Sequence, residues 1–179
     1  MYRNFRIHAV SNRIEVIHSK GIDCGTCLHT HSNWVFALVL EGERIIQIGN
    51  ELFRVQAGRY YLIEPHRPHK VLPGKAVVET MVVTLRERRE VPDTLINPGY
   101  ERYSREYRIR KIKGEYGLPP GRLARQERVK KAQTLLLEGH TQSYAAQEAG
   151  FCDQAHFCKC FAALWGVSPG KYLEAAKGD

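Results

Sequence analysis

Two short stretches hold the side chains best suited to chemistry. "CGTCLHTH" offers Cys24, Cys27, His29 and His31, and His69 closes the later segment "EPHRPH". Thiolates and neutral imidazoles at such spacing can ligate zinc, iron or manganese. "GFCDQAHFCKCF" offers Cys152, His156, Cys158 and Cys160. Histidine and cysteine at 156 and 160 would share one helix face, but 152 and 158 do not join them, and no CxxC pair lies nearby. The cysteines of this second stretch are therefore read as small filler residues. Cys24 and Cys27 lack the βαβ surroundings of a redox pair. No nucleophile triad, glycine-rich phosphate loop or paired-carboxylate pattern stands out, so no catalytic residue is assigned.

A second kind of chemistry is carried by charge. The chain has 179 residues and a formal net charge of +8. Residues 102–131 hold 11 basic and 3 acidic side chains, whereas residues 1–101 and 132–179 nearly cancel between them. An excess confined to one stripe attracts a polyanion, most simply nucleic acid. Apolar residues make up 43% of the chain, enough for one ordinary domain or two small ones. No apolar run is long enough to span a membrane, the N-terminus lacks the apolar core of a secretory signal, and five cysteines form an odd set. A cytoplasmic protein with reduced thiols is expected.

The elements that must position these residues fall into two halves. Residues 34–85 read as strands: "WVFALVL" and "VVETMVVTL" are rich in β-branched and aromatic residues, and Gly49-Asn50 is a two-residue hairpin signal. Many short strands with tight turns predict a small barrel or sandwich. "VPDTLINPGY" reads as a linker. Beyond it the period becomes helical. One helix is predicted from about Pro120 to Gly139, a short one capped by Thr141 and ended by Gly150, a third lined by Phe157, Phe161 and Leu164, and a last one opened by Pro169.

A repeat lies in the helical half. "EYGLPPGRL" (115–123) and "LWGVSPGKY" (164–172) align at a spacing of 49 residues, pairing Tyr116 with Trp165, Gly117 with Gly166 and Pro120 with Pro169. Two copies of one helical unit are implied, and the second reads as a helix-turn-helix.

Over about residues 103–176 the chain resembles the DNA-binding domain of the AraC/XylS family of bacterial transcription regulators. Gly150-Phe151, Asp153-Gln154, Phe157, Phe161, Gly166, Pro169 and Tyr172 follow the family's order and spacing. The N-terminal half is similar to the cupin-type sensor barrel of such regulators, through the pair His29 and His31, a turn at Glu41-Gly42 and "EPHRPH". The resemblance implies an α+β chain of two domains: an all-β cupin-like barrel over 1–90, a linker over 91–102, and an all-α helix-turn-helix domain over 103–179. The family's first positioning helix is replaced by "TLINPGYERY", where Pro98 and Gly99 disfavour a helix, so the first unit reads as shortened. Arg108 stands in place of a buried aromatic, and Gln142 in place of an aliphatic residue.

The function this implies is a non-enzymatic transcription regulator, an activator type, that binds double-stranded DNA and answers a small-molecule effector. In the second unit, Gln154 would read a base edge, Lys159 would neutralise a phosphate and Asp153 would cap, with His156 beside them. In the first unit, Arg105, Glu106 and Arg110 would face DNA, with Lys111 and Lys113 on phosphates. The effector pocket is expected at His31, Trp34, Phe36, Arg44, Glu64 and His69. No cofactor is assigned; a metal on His29, His31 and His69 is the competing reading. A homodimer stays open. The alternatives to a regulator of this kind are a metal-dependent cupin enzyme with a helical tail, and a truncated regulator that no longer binds operator DNA.

Overall fold

The computed structural model describes residues 2–10, 14–85 and 104–177. The expected linker 91–102, with Pro98 and Gly99, and the side chain of Arg108 lie outside the described residues.

Eight strands form the N-terminal half: β1 (Tyr2–Val10), β2 (Ile14–Ile22), β3 (Val35–Glu41), β4 (Glu43–Ile48), β5 (Glu51–Gln56), β6 (Tyr60–Ile63), β7 (His69–Val71) and β8 (Val77–Leu85). They build a five-stranded sheet in the order β1-β2-β8-β3-β6 and a three-stranded sheet in the order β5-β4-β7, with antiparallel pairing throughout. The Gly49-Asn50 turn joins β4 to β5 with Ile48 opposite Glu51. Strand parity sets the interior. Val35, Ala37 and Val39 of β3 point in and are buried, and Val39 packs with Ile46, Val55 and Val78 between the sheets.

β1 and β2 precede the strands expected at 34–85. The inward positions of β2 include Glu15 and Ser19, 3% and 5% exposed, while Ile14 and Ile22 face solvent. Ile17 shares this inward face, and the two polar residues on it are buried because they are partnered, Ser19 by the Thr80 hydroxyl at 3.0 Å and Glu15 by the helical half.

Five helices follow: α1 (Arg105–Tyr116), α2 (Pro120–Leu137), α3 (Gln142–Glu148), α4 (Gln154–Trp165) and α5 (Pro169–Lys177). Their limits follow local chemistry. Ser104, Thr141 and Asp153 are N-caps whose side-chain oxygens accept from the backbone N–H of Tyr107, Tyr144 and His156. Gly117 and Gly166 end α1 and α4 at φ 73°, the left-handed conformation that glycine adopts without strain. Val129, Ala132 and Leu136 of α2 pack with Ala145, Ala146, Phe157, Phe161, Leu164 and Tyr172 in one apolar core. Gln142 flanks this core, and its Oε1 accepts from the Cys158 thiol at 3.6 Å.

The halves are joined by polar contacts, the first of them buried. The Tyr172 hydroxyl donates to Glu15 Oε1 at 2.7 Å, and Gln133 Nε2 donates to the same oxygen at 3.1 Å. The Cys27 N–H donates to the Ala163 carbonyl at 2.6 Å. The ring of Tyr116 meets His66 edge-on at 5.3 Å, and Gly117 lies so close to the 66–68 loop that a Cβ would collide with the His66 carbonyl oxygen. No described helix is long and apolar enough to cross a membrane.

Candidate functional site

Two sites emerge, one inside the barrel and one on the helices. Inside the barrel, β2, β3 and β8 supply Ile17, Ser19, Val35, Val82 and Thr84 to the wall of a cavity of about 130 Å³. His29 and His31, on the segment before β3, and His69, which begins β7, also line it. Their ring centroids lie 4.3 to 5.2 Å apart. His29 and His69 are tied by reciprocal backbone hydrogen bonds at 3.0 Å.

The protonation of two of these rings is fixed by their partners. His29 Nδ1 lies 2.8 Å from the Cys27 carbonyl, and His69 Nδ1 lies 2.9 Å from the Arg67 carbonyl. A carbonyl can only accept, so each Nδ1 carries the proton and each Nε2 keeps its lone pair. Burial disfavours the imidazolium. It pushes His29 down to about 3, with the neighbouring His69 adding to the effect. It also takes His31 well below the usual range, and lowers His69 against the bond to Arg67. The trio is therefore neutral at ordinary pH.

Neutral imidazoles braced through Nδ1 suit a transition metal, and the three ligand atoms lie within 4.8 Å of one another. The donor set of His29, His31 and His69 fits a divalent ion, which would supply a Lewis-acid anchor for an acceptor group.

Of the residues expected around an effector, the structure brings His31, Arg44 and His69 to the cavity. The Arg44 guanidinium is already committed, forming a buried bidentate pair with Asp23 at 2.8 and 3.0 Å. Trp34, Phe36 and Glu64 lie outside. Phe36 follows inward-facing Val35 and so faces outward, where its ring stacks with Tyr60 at 5.6 Å. Trp34 is 48% exposed and Glu64 is exposed on the turn after β6.

The helical half completes the cavity wall with Gln126 and Lys130 of α2 and Leu164 and Trp165 of α4. Gln126 Nε2 donates to the Thr30 carbonyl at 2.6 Å, and its Oε1 accepts from the Thr30 N–H at 3.1 Å. Thr30 sits between the two histidines, so a side chain of the helical half grips the backbone of the histidine pair. Trp165 Nε1 is buried without a hydrogen-bond partner, the one such side-chain atom among the described residues. A buried N–H left unpaired costs about 1–3 kcal/mol. Neither Gln126 nor Trp165 carried a sequence signal for this role, since it arises only when the halves meet.

On the helices, Gln154, His156 and Lys159 of α4 are exposed while Phe157 and Phe161 are buried; Lys159 lies on the side opposite the two rings, and Gln154 lies in the first turn. Asp153 Oδ1 accepts from the His156 N–H at 2.7 Å and so caps the helix. Cys158 and Cys160 are half-buried against the apolar core, while Cys152 is exposed. On α1, Arg105, Glu106, Arg110 and Lys113 are exposed and Lys111 is half-buried. Arg105, Arg110, Lys113 and Lys159 have no ion pair among the described residues. Part of the basic stripe is structural instead. Lys131 donates to the Glu148 carbonyl at 2.6 Å and Arg128 to the Gly150 carbonyl at 3.3 Å, satisfying the C-terminal end of α3.

Comparison with known proteins agrees with this division. Residues 16–84 match the model of a cupin domain, and residues 100–175 match that of a helix-turn-helix domain. No curated protein matches the chain. Among solved structures, a cupin-2 domain containing protein from Shewanella frigidimarina is 23% identical, with a TM-score of 0.42 over 48% of this chain and 83% of that one. A cupin superfamily protein from Desulfitobacterium hafniense is 17% identical, with a TM-score of 0.43 over 49% of this chain and 82% of that one.

Proposed function

We propose, from the premise that this chain is an AraC-type DNA-binding regulator with a cupin sensing domain, that the barrel cavity is its effector site and that both helical units contact DNA. The observation that carries the reading is the presentation of α4. Its apolar side is buried in the core while Lys159 is exposed on the opposite side and Gln154 is exposed in the first turn. Gln154 would read a base edge, and Lys159, Arg105, Arg110, Lys111 and Lys113 would meet phosphates. His156 stands beside Gln154, Asp153 acts as the cap, and Glu106 flanks the first contact. The working domain limits are 1–90, 91–102 and 103–179, and the setting is cytoplasmic. Effector binding would act on DNA affinity through the contacts that already join the halves, Gln126 to Thr30 foremost. Selection of duplexes from a random pool, followed by binding of Gln154→Ala to the selected site, tests base reading. Loss of preference at one or two positions is expected, and an unchanged preference contradicts the role given to Gln154.

A second reading of the cavity is favoured by the histidine trio, in which a divalent metal on His29, His31 and His69 anchors the effector. Elemental analysis of the purified protein tests this. Stoichiometric metal that is lost in His31→Ala supports the reading, and metal-free wild-type protein that still binds effector contradicts it. An enzymatic role has no further support beyond this donor set. A homodimer would use the outer face of β3 and β6, where Trp34, Phe36, Tyr60 and Leu62 are 38–63% exposed.

A further inference from the structure

A second hollow lies between the halves, outside the histidine cavity. It measures about 160 Å³ and is lined by Cys27 of the segment before β3, by Arg122 and Arg125 of α2, and by Cys160 and Leu164 of α4. Helical period explains this company. Arg122 and Arg125 share one face of α2, and Cys160 and Leu164 share one face of α4. Cys27 is held where the two faces meet. Its N–H donates to the Ala163 carbonyl in the last turn of α4 at 2.6 Å, and its own carbonyl accepts from His29 Nδ1. Two thiols and two guanidinium groups therefore share one small space that neither half makes alone. No aspartate or glutamate lines it, and neither arginine has an ion pair among the described residues. Cations without a counter-charge favour an anionic occupant. Of the two thiols, Cys27 is exposed and Cys160 half-buried, so an incoming reagent meets Cys27 first. Partial desolvation pushes the Cys27 thiol up, and Arg122, the foremost of the neighbouring charges, works against it. Selectivity is thus expected from the charge of the reagent and not from an unusually acidic thiol.

We propose that Cys27 is a modification site for small disulfides that carry a carboxylate, with Arg122 and Arg125 seating the anionic group. The step is thiol–disulfide exchange. Cys27 Sγ attacks one sulfur of the reagent, a new S–S bond forms as the reagent's own S–S bond breaks, and the half that leaves takes up the proton that Cys27 gave up. The reagent disulfide is itself the oxidant and ends as one thiol. The adduct stands between the barrel, α2 and α4, so it gives the joint of the halves a covalent input separate from the histidine cavity.

The test uses the full chain carrying Cys24→Ser, which leaves Cys27 as the sole cysteine of its segment. Two reagents of similar size and opposite charge are compared, dithiodipropionate and cystamine. Peptide mass spectrometry follows adduct growth at Cys27 and at exposed Cys152. Their ratio cancels the intrinsic reactivity of each reagent and the attraction of the whole basic chain. At low salt the ratio should be about tenfold higher for dithiodipropionate than for cystamine. The preference should shrink at about 1 M salt, where the screening length is about 3 Å. Arg122→Ala combined with Arg125→Ala should remove it. Equal ratios for the two reagents at low salt overturn the proposal. So does a preference that survives high salt undiminished or survives the arginine replacements, and so does an adduct that maps to Cys160 in place of Cys27. The salt series needs only the Cys24→Ser chain, so the outcome does not depend on how the arginine variant folds.

Discussion

The two helical units carry the same punctuation and different support. Ser104 and Asp153, 49 residues apart, both cap a helix, and Gly117 and Gly166 both end one at φ 73°. The N–H of each glycine returns to the carbonyl four residues back, at 2.9 and 2.8 Å. Even the paired aromatics behave alike, since Tyr116 meets the barrel at His66 and Trp165 lines the barrel cavity. The cores differ. α4 buries Phe157, Phe161 and Leu164 among α2, α3 and α5, whereas on α1 the buried apolar residue is Ile112, among the described side chains. Caps and turns are local, so a repeat preserves them cheaply. A helical core needs neighbouring helices, and in the described residues the first unit packs on α2 and, through Tyr116 and Gly117, on the 66–68 loop of the barrel.

That contrast can be broken by exchanging equivalent residues. The largest effect is expected at the core position. Phe161→Ala should cost about 3–5 kcal/mol, while Ile112→Ala, in a thinner core, should cost no more than about 2 kcal/mol. Chemical denaturation of both variants measures this, and equal costs would show that the first unit has a core as complete as the second.

The glycines sharpen the comparison next, with the order reversed. A left-handed residue with a Cβ costs about 1–2 kcal/mol, which is the expectation for Gly166→Ala. Gly117→Ala should exceed it, because its Cβ would strike the His66 carbonyl and lie 2.8 Å from Pro68 Cγ. Matching melting temperatures for the two variants would contradict docking of the first unit on the 66–68 loop. The N-caps should differ least. Ser104→Ala and Asp153→Ala are each expected to cost about 1 kcal/mol, and a much smaller loss at Ser104 would mean that α1 contributes little to the fold.

The same division explains what was legible in the sequence. Helix limits at Pro120, Thr141, Gly150 and Pro169 were legible because single residues set them. The strands from 34 to 85 followed from β-branched composition and the Gly49-Asn50 turn. β2 escaped because Glu15 and Ser19 occupy inward positions, and Glu15 makes sense only opposite Tyr172 and Gln133. The effector pocket was half legible. The histidines announced themselves by type, but Phe36 and Trp34 could be placed only once the parity of β3 was known. The far wall, from Gln126 to Trp165, depends on how two halves dock, and no local pattern encodes that.

DNA binding by both units is the central claim, and its electrostatic part can be measured directly. Fluorescence anisotropy on a mixed-sequence duplex, titrated across salt, should show affinity falling linearly with the logarithm of salt concentration. Arg110→Ala in the first unit and Lys159→Ala in the second should each reduce the magnitude of the slope by about one, and the double variant by about two. A wild-type protein without affinity at low salt, or a double variant with an unchanged slope, would contradict it.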